Sequence, residues 1–228
     1  MIVGSGLLAS EFAKYYAERS DIIIFASGVS NSNEANNEEF SREKNLLQRS
    51  MPKSATLVYF GTCSIYDPDM KTNPYVLHKM EMERLVANEF PSHLIFRLPQ
   101  VVGKKGNNNT LTNYLYSRIS TNEEFQVWRS AHRYLIDVCD VLKIVNAILI
   151  SGSHEMEIIN IAPPTSISVF KIVEIIEKIQ IKKANYSIVD RGEIYNIDTI
   201  LANKFASIAG VDFDKNYPEK ILRKYYGK

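Results

Sequence analysis

Residues 57–79 constrain this chain most. Leu57, Val58, Tyr59 and Phe60 make a short apolar, β-rich run that reads as a buried strand. The hydroxyl side chains of Thr62 and Ser64 fall just past its C-terminal end, where open α/β sheets bind their ligands. Residues 67–74 carry two prolines and an asparagine and read as a loop. Over residues 75–87 the apolar positions Val76, Leu77, Met80, Met82, Leu85 and Val86 recur at mixed spacings of three and four, as in a helix. Tyr75 and Lys79 are four apart there and share a face. A cation beside a phenol favours the phenolate, lowering a pKa whose reference is about 10 toward the range of a general acid/base. A Tyr-x-x-x-Lys pair is a weak signal alone, because a packed tyrosine beside a solvated lysine has the same spacing. Its weight comes from its place: it follows a strand ending in hydroxyls, in a chain that opens on a glycine turn.

That opening is a short strand, Met1-Ile2-Val3, followed by Gly4-Ser5-Gly6-Leu7-Leu8-Ala9 and a helix with Phe12, Tyr15 and Tyr16 on its apolar positions. In a strand, G-x-G-x-x-A, helix arrangement the glycines permit a tight turn and a close backbone approach to a pyrophosphate at the helix start. A tight turn with no ligand would use the same residues. Residues 21–26 read as a second buried strand, and its exit, Ser27-Gly28-Val29-Ser30-Asn31, is small and polar enough to lie beside a nucleotide.

An Asn/Ser-rich loop at 31–37 leads to a helix over 38–50 with Phe40, Leu46 and Leu47 turned inward. A fourth strand at 93–98 continues into Pro99-Gln100-Val101-Val102-Gly103, then a polar loop at 104–110. Beyond it the pattern predicts a helix at 111–120, a strand at 125–128, a helix at 141–151 with Asp140 near its start, a fifth strand at 157–162 and an amphipathic helix at 169–179. The remainder, 184–228, is mixed and Tyr/Lys-rich and ends in a basic helix. Alternating strands and helices predict an α/β fold with a mostly parallel sheet. Residues 1–103 with 133–162 form its main domain, and 104–132 with 163–228 a small lobe on the substrate side.

Composition excludes other classes. The 228 residues are 23% charged and 45% hydrophobic, as in a globular protein, and the net charge of +1 leaves no electrostatic footprint for nucleic acid. No apolar run approaches a membrane span, and no secretion signal opens the chain. Cys63 and Cys139 lie far apart and read as free thiols of a cytoplasmic protein. His78, His93, His132 and His154 have no metal-site spacing, so no metal is expected and they read as surface or packing residues. Trp128 reads as lobe packing, with a ring also able to stack on a base.

With these residues in view, the chain resembles the extended short-chain dehydrogenase/reductase family of nucleotide-sugar epimerases, dehydratases and reductases. The likeness runs through the glycine turn, Phe25-Ala26-Ser27-Gly28, Thr62 four residues before Tyr66, the Tyr75/Lys79 pair, Arg97-Leu98-Pro99-Gln100-Val101-Val102-Gly103 and the segment from Arg133 to Asp140. It implies a Rossmann-like sheet with helices on both faces and NAD or NADP as cofactor. Tyr75 would then exchange a proton with a sugar hydroxyl, Lys79 would bind the nicotinamide ribose, and Thr62 would hydrogen-bond the sugar oxygen. Gly4, Gly6 and Ala9 would hold the pyrophosphate, with Leu7, Leu8, Ala26, Ser27, Gly28 and Pro99 beside the cofactor. Ser64, Gln100 and Arg133 would meet the substrate, Arg133 at its diphosphate, where a planar fork suits paired oxygens. Arg133 would serve equally in a salt bridge to Asp137 or Asp140. The resemblance also implies a setting in surface-polysaccharide biosynthesis.

Three departures stand out. The glycine fingerprint is a residue shorter than the family's and ends in alanine. The first helix runs straight into the strand at 21–26, so two strands of the usual set are missing, the sheet should end at strand 1–3, and no acidic ribose anchor can be named. Thr62 and Tyr75 are only thirteen positions apart, which clips the loop between them. Cys63-Ser64 after Thr62 cannot supply the acid of a dehydratase, leaving 4-epimerisation or keto-reduction of a nucleotide-diphosphate sugar. The shortened fold also suits a catalytically reduced relative that binds a nucleotide sugar or a protein partner without turnover. The open edge could pair with a second copy, completing the sheet across a homodimer.

Overall fold

The computed structural model describes residues 1–50, 52–104, 110–153 and 156–227, with no side chain described for Ser50. Most of the polar loop at 104–110, and His154, lie outside the described residues. Strand β1 (Ile2–Val3) leads through the glycine turn into α1 (Leu7–Tyr16), and β2 (Ile22–Phe25) leads into α2 (Asn37–Ser50). After β3 (Thr56–Thr62) come single 3₁₀ turns at Cys63–Tyr66 and Pro68–Met70, then α3 (Pro74–Glu89). The middle of the chain forms β4 (His93–Leu98), β5 (Gln100–Val102), α4 (Leu111–Thr121), β6 (Phe125–Trp128), β7 (His132–Arg133), β8 (Leu135–Asp137) and α5 (Val138–Ser151). The C-terminal third adds β9 (Ile158–Asn160), β10 (Ile167–Ser168), α6 (Val169–Gln180), β11 (Tyr186–Val189), α7 (Ile200–Ile208) and α8 (Tyr217–Tyr226).

Among the described residues the main sheet has five parallel strands in the order β1-β2-β3-β4-β9. Its strands read as continuous apolar runs because helices cover both faces. Phe12, Tyr16, Val141, Val145 and Phe205 from α1, α5 and α7 pack on Ile24, Val58, Phe60 and Phe96. Leu47, Met82 and Val86 from α2 and α3 pack on Ile23, Phe25, Leu57, Tyr59 and Ile95 of the opposite face. Consecutive strand residues thus go to different cores, as the period of two requires.

The chain returns from α1 directly to the neighbouring strand, so β1 is the edge of the sheet, as its sequence predicts. A further core joins α4, α6 and α8 through Leu115, Ile119, Ile172, Ile176, Ile221 and Leu222, with Val102 and Leu135 from β5 and β8. Helix α7 sends Ala202 and Phe205 into the sheet's core instead. Two-stranded ladders of β5 with β8, β7 with β10 and β6 with β11 bind these parts together. Among the described residues no helix is long and apolar enough to cross a membrane.

Local chemistry fixes the start of α3. Asn73 caps it, its Oδ1 accepting from the Tyr75 N–H at 2.9 Å and the Val76 N–H at 3.3 Å, with Pro74 in the first turn. That sets Tyr75 in the first turn of the helix, at the end of β3.

Candidate active site

The C-terminal ends of β1 to β4 open into a cavity of about 1080 Å³ that reaches from the glycine turn to Trp128. Thr62, Tyr75 and Lys79 all line it. Tyr75 is 8% exposed and Lys79 3%. Thr62 Oγ1 also accepts from the Ser64 N–H at 3.1 Å, which shapes the 3₁₀ turn after the strand.

The floor of this site is a buried charge cluster. Lys79 Nζ donates to Glu43 Oε1 at 3.0 Å, to the Tyr59 hydroxyl at 3.0 Å and to the Phe60 carbonyl at 3.3 Å. Glu43 comes from α2 and is fully buried. It accepts the Tyr59 hydroxyl at 2.7 Å, the Val29 N–H at 2.7 Å and a bond with His78 Nε2 at 3.0 Å. Burial works against the Glu43 carboxylate, yet Lys79, His78, Tyr59 and the Val29 amide outweigh it and hold its pKa well below the usual range.

Tyr75 departs from the sequence expectation. Its pKa is raised, because burial dominates and Glu43 and Cys63 add to it, while Lys79 and Thr62 pull the other way. The spacing of Tyr75 and Lys79 foretold the attraction between them; it did not foretell that a carboxylate would sit against the same ammonium.

Most of the sequence-derived cofactor residues face the cavity: Gly6, Leu7, Leu8, Ala26, Ser27, Gly28 and Pro99 line it. So do the substrate-side candidates Ser64, Gln100 and Arg133. Gly4 and Ala9 are not brought to it; they border a shallow depression on the other side of the turn, with Ser10 and Ala13. Gly4 has a structural task, since its φ is +126° and a Cβ there would stand 2.4 Å from the Ala26 carbonyl oxygen. At Gly6 a Cβ would meet nothing within 4 Å, so the turn leaves open space over the N-terminus of α1. A Cβ on Gly28 would lie 2.5 Å from Lys79 Nζ and 2.9 Å from Glu43 Oε1, so a side chain there would have to displace the ion pair.

Arg133 pairs with neither Asp137 nor Asp140. Its Nη1 donates to the His132 carbonyl at 2.7 Å and stands 3.4 Å from Asp67 Oδ2. Asp137 instead binds Lys224 and Tyr225 at 2.6 Å each, and Asp140 binds Lys143 at 2.9 Å and Tyr217 at 2.9 Å. His78 is no surface residue; it is buried against Glu43 and stacked on Phe40.

Sequence reasoning missed Glu43 and Arg42. Glu43 had a signal: it stands three residues after Phe40 and four before Leu47, on the inward stripe of a charged helix. Arg42 lines the cavity beside the exit of β2, its Nη1 donating to the Ser27 carbonyl at 3.3 Å. Among the described residues the cavity wall carries Arg42, Lys79 and Arg133 and no carboxylate. Open space at a helix N-terminus, backbone amides and cations together fit an anionic dinucleotide.

A doubly covered parallel sheet with a glycine turn at its first strand, and this wall at the strand ends, defines a Rossmann-like nucleotide-binding α/β protein. The profile of the NAD dependent epimerase/dehydratase family matches residues 6–162, and the chain belongs to that family. No curated protein matches it by sequence. Among solved structures it is similar to MoeE5 in complex with UDP-glucose and NAD, with 14% identity, a TM-score of 0.72, and 90% of this chain and 78% of that one covered. It is similar also to RMD from Pseudomonas aeruginosa complexed with NADPH, with 16% identity, a TM-score of 0.71, and 99% and 97% covered. A third likeness is to UDP-glucuronic acid 4-epimerase from Bacillus cereus, with 16% identity, a TM-score of 0.69, and 96% and 85% covered.

Proposed function

We propose that this chain is a nicotinamide-dependent oxidoreductase or epimerase acting on a nucleotide-diphosphate sugar. The observation that carries the reading is the placement of Thr62, Tyr75 and Lys79 on the wall of the cavity that Gly6 opens onto. Family membership supports it, as do the NAD, NADPH and nucleotide-sugar complexes of the similar structures.

In this reading Gly6, Leu7, Leu8, Ala26, Ser27, Gly28 and Pro99 hold the cofactor, and Gly4 and Ala9 shape the turn behind them. The nicotinamide, when bound, supplies hydride exchange with a sugar carbon. Tyr75 gives or takes the proton of the sugar hydroxyl, and Thr62 hydrogen-bonds the same oxygen. Lys79 stabilises the phenolate. Arg133 receives the diphosphate, and Ser64 and Gln100 orient the sugar. The Cys63 thiol after Thr62 is buried and its pKa pushed far up, so it offers no acid for dehydration; this supports epimerisation or keto-reduction. The setting is the cytoplasm, and the open edge of β1 pairs across a homodimer, which a monomeric light-scattering mass at high concentration would refute.

The second reading, a binder without turnover, draws on the raised pKa of Tyr75 and on the engagement of Lys79 by protein acceptors. Mass spectrometry of the denatured protein for nicotinamide nucleotide, with NAD(P)H fluorescence titration, separates the two. Bound or titratable cofactor together with turnover of a UDP-sugar panel supports the enzyme. Absence of binding at millimolar NADH and NADPH refutes it.

A further inference from the structure

The residue that the fold adds to the Tyr/Lys pair is Glu43, and its surroundings say what it does. An ammonium has three N–H donors. Those of Lys79 are matched by three protein acceptors: Glu43 Oε1, the Tyr59 hydroxyl and the Phe60 carbonyl. The Glu43 carboxylate is held as firmly, by Tyr59 on β3, Val29 on the connection between β2 and α2, and His78 on α3. A side chain at Gly28 would have to displace this pair, which fills the space beside it. Lys79 therefore acts on Tyr75 through its charge, and most of that charge has an opposing carboxylate in contact.

Resting on the acid/base reading of Tyr75, we propose that Glu43 is a positioning residue: it anchors the Lys79 ammonium beneath Tyr75 and, as the opposing charge, sets the pH at which the Tyr75–Lys79 pair gives up its first proton. The groups acting on the pair from the elements around it are Glu43 and His78, Tyr59 on β3, and Thr62 and Cys63 at the end of that strand. Removing one negative charge from this cluster favours proton loss from either member, so the sign does not depend on which one ionises first.

The test is Glu43→Gln, which keeps the shape and loses the charge, read by NMR on protein carrying ¹³C-labelled tyrosine and lysine. Tyr75 and Lys79 signals are assigned with Tyr75→Phe and Lys79→Met. The expected result is a first titration midpoint lower by about one pH unit or more than in the wild type. Glu43→Asp, which keeps the charge, should hold the wild-type midpoint. The acid/base limb of the pH–rate profile should move with the NMR midpoint, whereas loss of a merely structural contact would lower the rate at every pH. An unchanged midpoint in Glu43→Gln overturns the proposal. If that variant does not fold, the wild type still decides through ¹³C-labelled glutamate. A Glu43 carboxylate ionised throughout the range in which Tyr75 and Lys79 titrate, and still ionised below the ordinary carboxylate range, supports the opposing charge, whereas a Glu43 protonated at or above that range refutes it. Because the NMR titration needs no turnover, failure of the proposed activity and failure of this proposal are separate outcomes.

Discussion

Lys79 Nζ and Glu43 Oε1 lie 3.0 Å apart in a place where neither side chain is more than 4% exposed. Breaking a buried pair by removing one partner leaves an uncompensated charge and costs about 3–5 kcal/mol. Glu43→Gln should thus lower the urea midpoint markedly at neutral pH. The pH dependence has a definite sign. Glu43 has a folded pKa depressed below its unfolded value, so its contribution is complete above that unfolded value and is lost as pH falls toward the folded one. The stability gap between wild type and Glu43→Gln should be widest above about pH 5 and shrink below about pH 4. A gap that stays constant from pH 7 to 3 would show that the carboxylate is not charged in the fold.

How far the sequence reaches is visible in this pair. Lys79 and Tyr75 were legible because their spacing of four is local and α3 is periodic, and the strands were legible as apolar runs of four to six. Glu43 was hidden by its neighbours: Glu38, Glu39, Arg42 and Lys44 make α2 look like a solvated face, and only the Phe40 and Leu47 flanks betray an inward position. The partners of Arg133 were illegible for a different reason. Asp67 reaches it through a 3₁₀ turn and a crossover between distant strands, and no local pattern encodes such a meeting. The ladder of β6 with β11 joins segments about sixty residues apart, with the same consequence.

The two glycines of the opening turn should behave oppositely. Gly4→Ala forces a left-handed backbone on a residue with a Cβ and drives it into the Ala26 carbonyl, so it should unfold the β1–α1 unit or cost about 2 kcal/mol or more. Gly6→Ala meets no protein atom and should leave the melting temperature within a degree or two. Its methyl group would intrude where a pyrophosphate approaches, so NAD(P)H affinity should fall at least about tenfold. Fluorescence titration of both variants checks this, and a Gly6→Ala protein with unaltered affinity would remove that glycine from the cofactor site.

Tyr75→Phe deletes one hydroxyl and should leave the fold and cofactor binding intact. Loss of a general acid/base lowers turnover by about 10²–10⁴-fold, with substrate affinity little changed. Comparing kcat and NAD(P)H affinity for this variant checks both halves of the expectation. Retention of wild-type turnover would transfer the proton step to another group.

Arg42 argues for tolerance of a phosphorylated ribose. A carboxylate that binds both ribose hydroxyls is what excludes a 2′-phosphate in many dinucleotide sites, and an arginine nearby is what admits one. Around this cavity no carboxylate lines the wall among the described residues, and Arg42 holds the exit of β2, reaching the Ser27 carbonyl and pairing with Glu39 at 2.9 Å. The Glu39 pairing is exposed and worth little, so it leaves the guanidinium available to a stronger anion. NADPH should therefore bind at least as tightly as NADH. Arg42→Ala should weaken NADPH about tenfold while leaving NADH within about twofold, since a charge-assisted contact to a phosphate is worth about 1.5–3 kcal/mol. Isothermal titration of the two nucleotides against both proteins reads the difference directly. An NADH preference of tenfold or more in the wild type would mean that the ribose is read by a residue other than those at this wall.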